Sequence, residues 1–185
     1  MRSDLKFFVQ GNILLVVCCA FYLAWWLIAF KPEGAVKGMK SGWLLIPAAA
    51  AGILAVYKTV KGISNVNMAE ASVSTLQICV IGLVTYFILL IGTGLLMKRP
   101  VTTELLLIVG WITMVAAEIN ALGAADIFTR GETVSLVAIS LGLAVISLIC
   151  YLAYYRLDAV KGYFDGMVPL IMAAVMSVML LVAMR

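Results

Sequence analysis

The stretch VSTLQICVIGLVTYFILLIGTGLLM, residues 73–97, decides the fold class, because it holds no charged side chain and only scattered hydroxyls and one glutamine among its polar groups. A helix of about 20 apolar residues crosses roughly 30 Å of hydrocarbon while satisfying its own backbone hydrogen bonds. In water the same helix would need apolar cover on every side. Working outward, runs of the same character occupy residues 7–30, 43–60, 105–128, 134–155 and 167–185. The pattern predicts an all-α polytopic membrane bundle of about six transmembrane helices, with the whole of 1–185 as one transmembrane domain.

Composition points the same way. Hydrophobic residues make up 65% of the 185 and charged residues 12%, against roughly 45–50% and 25% in an ordinary soluble domain. The mean hydropathy is +1.15. The first run is longer than the core of a signal peptide and is followed by Lys31-Pro32 instead of a small-residue cleavage site, so it is expected to stay attached as the first helix. The expected location is an integral position in the cytoplasmic (inner) membrane of a prokaryote, with membrane lipids as surroundings.

The 13 lysines and arginines and nine acids leave a net charge of +4. The basic residues sit at the ends of apolar runs, as headgroup anchors do, and form no stripe suited to nucleic acid. With six spans, one side would hold Arg2, Lys6, Lys58, Lys61, Arg130 and Arg185. The other would hold Lys31, Lys37, Lys40, Lys98, Arg99, Arg156 and Lys161. That balance sets no orientation by the positive-inside rule.

The chain has no histidine, and its four cysteines (Cys18, Cys19, Cys79 and Cys150) lie inside apolar runs without CxxC spacing. Zinc, haem and histidine-base chemistry lose their commonest ligand or base. The reading is of small packed or lipid-facing residues, with no metal site and no cofactor expected.

An internal repeat is visible. Tyr22-Leu23-Ala24-Trp25-Trp26 followed by Ala35-Val36-Lys37-Gly38 returns as Tyr151-Leu152-Ala153-Tyr154-Tyr155 followed by Ala159-Val160-Lys161-Gly162, and a glycine follows each copy at Gly42 and Gly166. A fainter middle copy matches Lys31-Pro32, Gly42-Trp43 and Ala48-Ala49 with Arg99-Pro100, Gly110-Trp111 and Ala116-Ala117. Three helical hairpins would result. Repeated units often enclose a site at their interface in transporters.

Glu118 is the first candidate for function. It lies in WITMVAAEINA, residues 111–121, more than a helical turn from the nearest polar end. An acid at a helix centre costs about 2.5–3.5 kcal/mol on insertion scales, so it faces the protein interior and invites a role as a proton-coupling group or cation ligand. Asp126, eight residues on, would share its face if the helix continued, making a polar track to the surface. Asn120 points to another side and suits an interhelical hydrogen bond, with ligand contact as the alternative. Trp25, Trp26 and Trp111 belong to interfacial belts or, in a sharper reading, to an aromatic box around a ligand.

Lys37 and Lys161 occupy equivalent repeat positions and could hold lipid phosphate or an anionic solute. Pro47 and Pro169 are expected inside the second and sixth helices, where each would remove a backbone donor and form a kink or hinge.

These residues rank three classes of function. The leading expectation is a small transporter or channel-like protein for an ion or small solute, with its polar site around Glu118. A substrate-binding or scaffold subunit of a larger membrane complex comes second, and small-residue faces leave homo-oligomers or a partner membrane subunit open. A lipid enzyme comes third, since the acids are scattered and no histidine or activated serine stands with them.

Overall fold

The computed structural model describes residues 3–30, 42–67, 69, 71, 73–97, 103–154 and 156–185. Among these it is helical throughout, with α1 at Ser3–Ala29, α2 at Leu45–Asn65, α3 at Thr75–Met97, α4 at Thr103–Ala124, α5 at Arg130–Tyr154, α6 at Ala159–Asp165 and α7 at Val168–Ala183. A 3-10 turn, Gly42–Leu44, leads into α2. Among the described residues six stretches are long and apolar enough to cross a membrane, the sixth combining α6 and α7 over Ala159–Ala183. Glu33, Gly34, Lys37, Lys98 and Tyr155 lie outside the described residues, and with them the first AVKG copy of the repeat.

The helix ends differ from the expected ones for local reasons. Ser74 and Gln77 form a capping box at the start of α3: the Gln77 N–H donates to Ser74 Oγ at 3.2 Å, and the Ser74 N–H donates to Gln77 Oε1 at 3.0 Å. Thr129 and Glu132 do the same for α5, with the Thr129 N–H reaching Glu132 Oε2 at 2.8 Å, so this helix begins at Arg130 rather than 134. Asp158 caps α6 by accepting the Lys161 N–H at 2.9 Å. That cap turns residues 159–165, expected as a connection, into helix.

Contacts divide the chain into two compact units, one of Met1–Asn65 with Ile149–Arg185 and the other of Val66–Leu148. In the first, α1 and α2 are antiparallel and meet through small residues. The buried stripe of α2 is Ala48, Ala51, Ala55, Thr59 and Gly62, spaced three or four apart along one face. A side chain added at Gly62 would strike the Phe8 ring at 2.9 Å, and one at Gly52 would meet Cys18 Sγ at 3.2 Å. Small residues let the backbones approach this closely, so van der Waals packing joins the two helices. At the far end of this pair Lys58 and Lys61 lie over the Phe7 ring, 5.4 and 5.1 Å from its centre.

In the second unit α3 and α4 run antiparallel. Gly82 of α3 is pressed against Thr113 of α4, with no room there for a Cβ. Further along, the Asn120 amide of α4 donates to the carbonyl of Val73, just before α3, at 2.7 Å. Thr113 and Asn120 are seven residues apart, so one line along α4 faces α3. All four cysteines are free thiols.

Large apolar side chains stand outward on most helices. Ile46 is 71% exposed and Leu95 78%. An apolar residue exposed singly is ordinary, but whole helix faces of them need apolar surroundings.

Candidate functional site

α4 carries the site candidates of the second unit. Val115, Ala117, Ile119, Ala121 and Leu122 are buried around Glu118, which is itself 1% exposed. Burial on adjacent positions means that the helix is enclosed around most of its circumference here, not on one stripe. Among the buried polar residues described, Glu118 is the one that is acidic or basic; the others are Asn12, Thr59, Thr93, Ser140, Ser147 and Ser177.

That contrast matters chemically. Thr93, Ser140, Ser147 and Ser177 give their hydroxyl hydrogens to carbonyls three or four residues back in their own helices, at 2.7 to 3.1 Å. Hydroxyls can settle their needs locally this way. An ionised carboxylate accepts only, and the N–H groups of a helix interior are already committed, so its donors must come from beyond its own turn. Glu118 is therefore a buried carboxyl group whose hydrogen-bond needs cannot be settled by the backbone of its own turn.

The neighbours named with it play other parts. Asn120 spends its amide on the Val73 carbonyl, tying α4 to the segment before α3. Asp126 does not extend the face of Glu118, because α4 stops at Ala124. The chain closes with the Ile127 N–H donating to the Leu122 carbonyl at 3.0 Å and the Asp126 N–H to that of Gly123 at 3.1 Å. This is the Schellman pattern, and Asp126, at φ 55°, fills its left-handed position. The polar track from Glu118 to Asp126 is thereby withdrawn: the acid is exposed and belongs to a turn.

Trp111 is on α4, in the second unit; Trp25 and Trp26 are on α1, in the first. The latter two sit in a packed aromatic cluster. Trp26 stacks on Phe30 with ring centres 4.4 Å apart, meets Tyr154 edge-on at 6.0 Å, and rests against Gly166, which has no space for a Cβ beneath the indole. Trp25 lies edge-on to Tyr22 and to Phe30, both at 5.3 Å. These rings fill each other's faces.

Lys161 is exposed and pairs with Asp158 at 3.3 Å within the first turn of α6; Lys37 lies outside the described residues. Both prolines stand in first turns instead of helix interiors. Pro47 is the third residue of α2, directly after the 3-10 turn, and Pro169 the second residue of α7, after the turn at Gly166 and Met167. First-turn N–H groups have no intrahelical acceptor, so proline costs nothing there and marks where each helix resumes. The kinks expected from interior prolines are replaced by these two breaks in helix geometry.

Among the described residues no three His, Cys, Asp or Glu side chains gather closely enough to hold a metal ion. Several groups escape the sequence reading: the Trp111 Nε1 is buried and has no acceptor among the described residues, and Thr75 Oγ1 and Asp165 Oδ2 are likewise buried without a hydrogen-bond partner among them. A tryptophan in an apolar run gives no sign of whether its N–H is met.

Comparison with known proteins yielded no matching family model, no matching curated protein and no matching solved structure.

Proposed function

We propose that the protein is a small integral membrane transporter or channel-like protein for an ion or small solute, with Glu118 as the group that carries charge or protons through its interior. The observation behind this is the 1% exposure of Glu118 within an otherwise apolar part of α4. Burying a carboxyl group in such a place is costly, and acids found within membrane-spanning segments commonly line ion and proton routes. The outward apolar faces support insertion in a bilayer, which in a prokaryote is the inner membrane.

The test is flux. Purified protein in proteoliposomes loaded with a pH-sensitive dye is challenged with a proton gradient and then with gradients of sodium, potassium and a panel of small metabolites. The wild-type chain is expected to pass at least one of them, and Glu118→Gln and Glu118→Ala to reduce that flux tenfold or more while keeping the wild-type elution profile. Undiminished flux in both variants removes Glu118 from the route.

A further inference from the structure

The indole of Trp111 lies near the middle of α4, far from the helix ends where tryptophan N–H groups ordinarily reach headgroups or water. Its Nε1 is buried, and no described residue accepts its hydrogen. Buried donors in folded proteins are nearly always met, and one that no protein group meets points to an acceptor supplied from outside the chain. Phenylalanine would fill the same space with no donor to satisfy.

Its position on the helix adds a second constraint. Trp111 and Glu118 are seven residues apart, which places them about 20° apart around α4 and roughly 10 Å apart along it. The line through Thr113 and Asn120, which faces α3, is about 140–160° away from Glu118. The N–H donor and the buried carboxyl thus share the face of α4 turned away from α3. A donor hydrogen repels a bare cation and attracts an oxygen, whereas a carboxylate does the reverse.

We propose that Trp111 is a binding residue whose Nε1 donates to an oxygen acceptor that is not part of the protein, either internal water or the oxygen of an organic solute, on the same path as Glu118. The proposal deepens the transport reading and rests on it for the role of Glu118. It narrows the cargo to something that presents oxygen at Trp111: a hydrated ion or proton moving with water, or an oxygen-bearing organic molecule, in place of a dehydrated metal ion.

The experiment uses the full chain in lipid nanodiscs with ¹⁵N-indole tryptophan, the Trp111→Phe variant identifying the resonance. Magnetisation transfer from water to the Trp111 N–H is the expected result if water is the acceptor. A shift of that resonance on adding millimolar acetate, acetamide or glycerol, without transfer from water, is expected if the acceptor is an organic oxygen. A resonance that receives nothing from water and shifts with none of the three probes overturns the proposal. The outcome is separable from the flux test. Flux untouched by Glu118→Gln together with a wet Trp111 N–H removes the transport reading and leaves the donor's assignment standing. Flux abolished by that substitution with a dry N–H does the opposite.

Discussion

The Trp26 Nε1 donates a hydrogen bond to the Tyr163 carbonyl at 3.0 Å, and the Tyr163 hydroxyl donates in return to the carbonyl of Leu27, the residue after Trp26, at 3.3 Å. The end of α1 is thereby fastened to α6, with Gly166 forming the floor beneath the indole. Each polar tip of the two aromatic residues meets a backbone carbonyl, which is how tryptophan and tyrosine are accommodated when their rings are packed.

Gly166→Ala is expected to destabilise this end of the first unit by about 1–3 kcal/mol, because the added methyl collides with a ring that is itself pinned. Trp26→Phe removes one hydrogen bond and should cost about 1 kcal/mol for that bond, plus the lost packing of the larger ring. Gly142, in α5, has open space around it, so Gly142→Ala should be neutral or stabilising by up to about 1 kcal/mol. Apparent melting temperatures of the purified chain in one detergent check the set. Equal falls for Gly166→Ala and Gly142→Ala would contradict the role assigned to the Trp26 contact.

Asp126 supplies the next prediction, since two roles for it lead to opposite results. As the left-handed residue closing α4, it is replaceable by glycine with no loss of stability or a small gain, while Asp126→Val costs about 1–3 kcal/mol through backbone strain. As a member of an ion track it would lose flux on becoming glycine. The expected outcome is a stable Asp126→Gly protein with unchanged flux in the proteoliposome assay. Reduced flux in that variant would restore the acid to the path.

The all-helical class and its six long apolar helices are legible because each is a long apolar run, and that signal does not depend on where the helix ends fall. The apolar run 73–97 forms α3 from Thr75. Helix ends are set by local chemistry that hydrophobicity does not show. Gln77 looks like an unwelcome polar group in a membrane helix until its part in the Ser74 capping box is seen. Glu132 and Asp158 likewise start helices earlier than hydrophobicity does. A period of 3.6 extended beyond Ala124 puts Asp126 on the face of Glu118, but the backbone turns left-handed at Asp126 itself. The burial of Glu118 follows from its flanks, but the unmet N–H of Trp111 depends on tertiary contacts that no period reveals.

Asp158 allows a prediction with a definite sign. It stands outside the apolar spans, accepts the Lys161 N–H at the start of α6 and pairs with the Lys161 ammonium. Hydrogen bonding from that backbone N–H and side chain holds its carboxyl below the usual aspartate value. A depressed folded-state pKa means that the cap contributes its full stability above the unfolded value of about 3.9 and loses it as pH falls through the folded one. The carboxyl is fully exposed, so the effect is confined to the first turn of α6. Hydrogen exchange at the Lys161 amide is the fitting measurement. Protection should be constant from pH 7 down to about 5, after correction for the intrinsic rate, and should fall below about 4. Asp158→Asn keeps a capping acceptor but has no proton to gain, so its Lys161 protection should show no such fall. A parallel decline in both proteins would mean that α6 frays at low pH for a reason unrelated to its cap.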